Sequence, residues 1–120
     1  MAQTIMIVDD AAFMRITLKN ILSQAGYEVI EAADGVEAVA KYSQFSPDVV
    51  TMDITMPNKD GLEAAEEIRS ADPNAVIVMC SALGQENLVR KAVSFGVKDF
   101  IVKPFEPDRV LQAIENALGR

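Results

Sequence analysis

In the stretch Asp48-Val49-Val50-Thr51-Met52-Asp53 the four residues between the two carboxylates are all apolar or β-branched. A strand wetted on one face alternates apolar with polar residues, so a run without alternation reads as a strand covered on both faces. Strands of that kind belong to parallel sheets, whose crossovers are helices. Working outward, four more β-rich runs appear: Thr4-Ile5-Met6-Ile7-Val8, Glu28-Val29-Ile30, Ala75-Val76-Ile77-Val78-Met79 and Phe100-Ile101-Val102. The first and fourth runs in chain order are nearly all apolar and suit central strands. The second is mixed and suits an edge.

Between the runs, apolar residues recur three and four apart, as in Phe13, Ile16, Leu18, Ile21 and Leu22, and later Val110, Leu111, Ile114 and Leu118. This is the period of helices with one face turned to a core. Asp34 with Glu37 reads as an N-cap and its capping-box partner, and Asp60 precedes the helix of Leu62. Pro107 suits a first helical turn, and Gly26 and Gly96 suit C-terminal stops. Strand and helix in strict alternation predict an α/β fold, a doubly wound five-stranded parallel sheet of flavodoxin-like order 2-1-3-4-5 with helices on both faces. In such sheets ligands bind beyond the carboxyl ends of the strands, beside the switch point between the first and third.

Composition narrows the chemistry available at that edge. The 120 residues, half of them apolar and 24% charged, suit one domain over 1–120. The single cysteine, Cys80, rules out an internal disulfide and fits a reducing compartment. No run approaches the length of a membrane helix and the N-terminus lacks a signal-peptide pattern, so a cytoplasmic protein without membrane insertion is expected. Eleven basic against eighteen acidic residues give a net charge of −7, which repels nucleic acid. With no histidine at all, Ser-His-Asp triads and His-ligated zinc or haem are excluded.

The predicted strand ends carry Asp9-Asp10 (first), Asp53 (third), Ser81 (fourth) and Lys103 (fifth), and the topology brings them to one edge. Three carboxylates about 5 Å apart repel by roughly 3 kcal/mol per pair at an effective dielectric near 20, which asks for a cation. Lys103 offsets part of that, and the rest suits Mg²⁺, a hard ion taking carboxylate, carbonyl and water oxygens. A carboxylate beside Mg²⁺ and an ammonium is a nucleophile for phosphorus. Asp53 is the best placed. Asp9, Asp10 and Asp53 are the expected metal ligands with the Thr55 main-chain carbonyl, and Lys103 and Ser81 the expected phosphoryl contacts. Taken singly, Asp10 also suits a cap of the first helix, Ser81 a turn hydroxyl and Lys103 a solvated lysine. Phe13, Met14 and the other methionines read as core, and Cys80 as packing.

These residues resemble the receiver domains of two-component response regulators over the whole length. The motifs are Val8-Asp9-Asp10, Met52-Asp53-Ile54-Thr55-Met56-Pro57 with Asp60-Gly61, Cys80-Ser81-Ala82, and Phe100-Ile101-Val102-Lys103-Pro104-Phe105. The fuller wording, Asp9-Asp10-Ala11-Ala12-Phe13-Met14-Arg15, is similar to the chemotaxis members. The resemblance implies phosphorylation of Asp53 by a chemotaxis sensor histidine kinase and, with no output domain, signalling by a monomer that binds the flagellar motor switch protein. A phosphatase is a further implied partner. It also implies Mg²⁺-dependent self-phosphorylation and autodephosphorylation rather than conventional enzyme turnover, a cis Lys103–Pro104 bond, and a switch coupling Ser81 to Phe100. Val89, Phe100 and Val102 belong to the face such proteins present to partners. Ser81 stands where threonine is frequent and Phe100 where tyrosine occurs, while Thr55 and Leu83 flank the phosphate where side chains tune its lifetime.

Three other readings compete. A phosphorelay intermediate passing phosphate to a histidine phosphotransferase would use the same site. An aspartyl-nucleophile phosphatase of the haloacid dehalogenase kind needs a second aspartate two residues after the nucleophile, where Thr55 stands. A flavin or nucleotide carrier lacks its glycine-rich phosphate loop here.

Overall fold

A computed structural model of the chain describes residues 2–119. The elements within them alternate as predicted: β1 (Thr4–Val8), α1 (Ala12–Gln24), β2 (Glu28–Ala32), α2 (Gly35–Phe45), β3 (Val49–Asp53), α3 (Gly61–Ala71), β4 (Ile77–Ser81), α4 (Glu86–Ser94), β5 (Asp99–Val102) and α5 (Pro107–Ala117). The five strands are parallel in the order β2-β1-β3-β4-β5.

The boundaries shift where turns compete with the ladder. Ala75 donates its N–H to Asp72 O at 3.0 Å, so the chain is still turning there and β4 starts at Ile77. The sheet then runs further toward the carboxyl edge than the apolar runs suggest. Asp53 and Ser81 are the last residues of their strands, and β2 continues to Ala32, which pairs with Val8.

Successive side chains of the central strands enter two different cores. Met6, Val8, Val50, Met52, Ile77 and Met79 meet Ala38 of α2, Ala64, Ala65 and Ile68 of α3 and Ala92 of α4. Ile5, Ile7, Val49, Val78 and Ile101 meet Leu18 and Leu22 of α1 and Val110, Ala113 and Ile114 of α5. Each fully buried aliphatic side chain contributes roughly 1.5–3 kcal/mol relative to exposure. The absence of alternation in the sequence is thus the signature of a sheet with two dry faces. Thr51 also faces inward, fully buried, and its Oγ1 has no hydrogen-bond partner.

The helix ends follow their punctuation. Asp34 accepts from Glu37 N at 2.8 Å while Glu37 Oε1 accepts from Ala33 N at 2.8 Å, and Asp60 accepts from Glu63 N at 2.9 Å. Pro107 opens α5, and Gly26 and Gly96 follow α1 and α4 with φ of +94° and +99°.

The stripe predicted on α1 is corrected at its start. Phe13 and Ile16 are 72% and 57% exposed, while Leu18 and Leu22 are buried. At about 100° per residue, Leu18 and Leu22 share one face, and Ile16 lies nearly opposite Leu18. Phe13 therefore does not join the core. Met6, Met52, Met56 and Met79 do, Met14 is half-buried, and Met1 lies outside the described residues. No helix among the described residues is long and apolar enough to cross a membrane.

Candidate functional site

At the carboxyl edge, Asp9 follows β1 and keeps its N–H on Ala32 O at 3.2 Å, while Asp53 ends β3. One carboxylate oxygen from each of Asp9, Asp10 and Asp53 lies within 4.8 Å of the other two. Asp9 and Asp53 are 1% and 7% exposed, and Asp10 opens to solvent. Asp10 does not cap α1: the cap position is Ala11, without a side-chain bond, and the Ala11 N–H goes to Asp9 Oδ1 at 2.9 Å.

Lys103 enters the cluster from just after β5. Its N–H bonds Ser81 O at 2.8 Å, the Lys103–Pro104 peptide is cis, and Nζ donates to Asp9 Oδ2 at 2.9 Å and to Asp53 Oδ1 at 3.0 Å. Burial pushes the Asp53 carboxyl above the ordinary range; the Lys103 hydrogen bond pulls it down, and the charges of Asp9 and Asp10 add to the rise. Burial works against the charged form of Lys103, yet its hydrogen bonds to Asp9 and Asp53 lift its pKa overall. The ammonium thus pairs with two of the three carboxylates, and Asp10 adds a further negative charge. An all-oxygen set with surplus negative charge suits a hard divalent cation such as Mg²⁺ and not a soft metal.

Ser81, 3% exposed, ends β4 opposite Val102 of β5. A cavity of about 280 Å³ lies beside it, lined by Leu83, Val89, Arg90, Phe100 and Val102 among others. Phe100 is 40% exposed at that cavity and stands apart from the carboxylates. Cys80 is fully buried in the strand pair beside Asp53, and burial raises its thiol pKa, which leaves it a packing residue.

Two polar side chains at the edge were not singled out from the sequence. Gln85, just before α4, accepts from Ala82 N–H at 2.7 Å through Oε1 and donates from Nε2 to Thr55 Oγ1 at 3.0 Å. Arg15 donates from Nη1 to the Asp9 main-chain oxygen at 2.7 Å. Gln85 carries no local signal beyond its place three residues after Ala82, and Arg15 was visible only as part of the acidic motif.

Glycine at 61 lets the segment after Asp53 fold back. Gly61 N–H bonds Ile54 O at 2.7 Å, and a Cβ there would collide with the Asp53 carbonyl oxygen. The phosphoacceptor candidate is therefore braced from behind by the first residue of α3.

This fold, with a triad of aspartates and a lysine at the carboxyl edge, defines a class. The chain belongs to the response regulator receiver domain family, whose model matches residues 5–115. Within that family it is similar to chemotaxis protein CheY of Bacillus subtilis, 57% identical over 120 residues, covering 99% of this chain and all of the relative. It is 56% identical to chemotaxis protein CheY of Thermotoga maritima over 115 residues, covering 95% and 96% of the two chains. Among solved structures it resembles a chain of the CheX–CheY–BeF3–Mg²⁺ complex of Borrelia burgdorferi, with a TM-score of 0.91 and 43% identity, covering 95% of this chain and 87% of that one.

Proposed function

We propose that this receiver domain is a phosphorylation-controlled switch of chemotaxis signalling that takes its phosphoryl group on Asp53. The observation that carries the reading is the convergence of three carboxylates within 4.8 Å, two of them, Asp9 and Asp53, bridged by Lys103 at 2.9 and 3.0 Å. Asp9, Asp10 and Asp53 would hold Mg²⁺ together with the Thr55 carbonyl. The ion, when bound, neutralises charge on the transferring phosphoryl group.

The Asp53 carboxylate attacks phosphorus of a phosphohistidine or a small phosphodonor. The new bond is Asp53 O–P, the bond broken joins phosphorus to the donor, and the donor leaves with its electron pair. Lys103, already on Asp53 Oδ1, stays beside the phosphoryl oxygens and stabilises their charge. The Ser81 hydroxyl, at the adjacent strand end, is the second contact. Drawing Ser81 toward the phosphoryl group frees space in the cavity it shares with Phe100, and Phe100 turns in from its exposed position. That reshapes the face of Val89, Phe100 and Val102. A differential of about 1–3 kcal/mol between the two states changes partner affinity roughly 5- to 150-fold.

The names of the relatives support chemotaxis as the setting, and the complex with CheX shows that one such chain binds another protein. The partners proposed here are a sensor histidine kinase as donor, the flagellar motor switch protein as target, and a phosphatase. Intact-mass spectrometry after incubation with acetyl phosphate tests the chemistry. One base-labile phosphoryl adduct that requires Mg²⁺ and is lost in Asp53→Asn is expected. An adduct surviving in Asp53→Asn would overturn the assignment. Equal binding of phosphorylated and unphosphorylated protein to the motor switch would overturn the output.

A further inference from the structure

We infer that Arg15 is a positioning residue for the metal site, acting through the main chain of Asp9; the inference rests on the magnesium reading above. Arg15 stands on α1, and its half-buried guanidinium spans two elements. Nη1 donates to the Asp9 carbonyl oxygen at 2.7 Å, and Nε donates to Glu31 Oε1 of β2 at 3.2 Å. Glu31 is held in turn: its other carboxylate oxygen is 3.9 Å from Lys19 Nζ, and its carbonyl accepts from Lys41 Nζ at 2.6 Å. The guanidinium therefore sits in a frame fixed by the edge strand, beyond the last β1–β2 pair, Val8 with Ala32.

The carbonyl that Arg15 grips belongs to the Asp9–Asp10 peptide. That unit is planar, so fixing its oxygen fixes the direction in which the chain enters Asp10. The Asp9 side chain has its own anchors, Ala11 N–H on Oδ1 and Lys103 on Oδ2. Asp10 is the exposed member of the triad and makes no cap bond, so the peptide plane, by fixing its N and Cα, sets the point from which its carboxylate reaches the cluster. Residues behind metal ligands that set their orientation change affinity by about 10- to 100-fold when removed.

Arg15 also carries a positive charge near a cation site, and its two effects have opposite signs. Charge repulsion alone predicts tighter Mg²⁺ binding when Arg15 is removed. Positioning predicts weaker binding. Glu31 pairs with the guanidinium and, although shared with Lys19, offsets part of its charge, which favours positioning as the larger effect.

Calorimetric titration of Mg²⁺ into the unphosphorylated protein decides between them. Arg15→Ala is expected to raise the dissociation constant about tenfold, with Arg15→Lys intermediate, because an ammonium serves one of the two oxygens. Far-UV circular dichroism reports whether each variant is folded, and if Arg15→Ala is not, Arg15→Lys and Arg15→Gln give the same ordering against wild type. Unchanged or tighter Mg²⁺ binding in the folded variants overturns the inference. Absence of saturable Mg²⁺ binding by the wild type overturns the magnesium reading itself and takes this inference with it.

Discussion

Gln85 and Thr55 are joined at 3.0 Å across thirty positions of sequence, and the other end of the same amide holds Ala82 N–H at 2.7 Å. One side chain thus ties the segment after β3 to the segment after β4, above the two strand ends that carry Asp53 and Ser81. A hydrogen bond of about 1 kcal/mol corresponds to roughly a fivefold change in the opening equilibrium of the group it holds. Gln85→Ala is expected to speed exchange of the Ala82 amide about fivefold, with amides in the core of β3 unchanged. Equal exchange in both proteins would show that the clasp carries no weight.

Asp53 titrates above its ordinary 3.8 because burial disfavours its charge. A raised folded pKa means that the folded state binds the proton more tightly than the unfolded one. The stabilising contribution is complete below the unfolded value and is lost as pH rises through the folded value. Asp53→Asn removes the charge, so the variant is expected to match wild type in acid and to be the more stable of the two at neutral pH in metal-free buffer. Denaturant melts across that pH range check the sign, and added Mg²⁺ is expected to narrow the gap.

Thr51 carries a hydroxyl into the core without a partner. An unsatisfied buried hydroxyl costs about 1–3 kcal/mol, and valine has nearly the same shape. Thr51→Val is expected to stabilise the protein by about 1 kcal/mol, read as a higher urea midpoint at an unchanged m-value.

Gly61 touches the main chain behind Asp53, and backbone cannot give way as a flexible side chain can. Gly61→Ala is expected to cost more than about 2 kcal/mol and to slow phosphoryl uptake as well, because relief of the collision moves Asp53. A variant with wild-type stability and phosphorylation rate would refute the close approach.

The fold was legible because Val49, Val50, Thr51 and Met52 are apolar or β-branched without alternation, and such short runs recur between amphipathic helical stretches, which together fit a doubly covered sheet. The site was legible because the topology forces Asp9, Asp10, Asp53 and Lys103 to one edge, and repulsion among carboxylates makes their convergence meaningful. What escaped was set by tertiary geometry. Phe13 and Ile16 fit a helical stripe as well as Leu18 does, and only the docking angle of α1 turns them outward. Gln85 and Arg15 each join a main-chain group to a side chain distant in sequence, Thr55 and Glu31, and neither a main-chain partner nor such a distant pairing leaves a trace in residue type.

Cys80 pairs in register with Asp53 and is the only thiol in the chain. Sealed in the sheet and with its pKa raised, it reacts with an alkylating reagent only when the strands beneath the site part. The protein therefore carries an intrinsic chemical clock for local opening. Iodoacetamide labelling of Cys80 is expected to slow on addition of Mg²⁺ and again on phosphorylation, so a single added mass read over time follows the tightening of the sheet without any engineered probe.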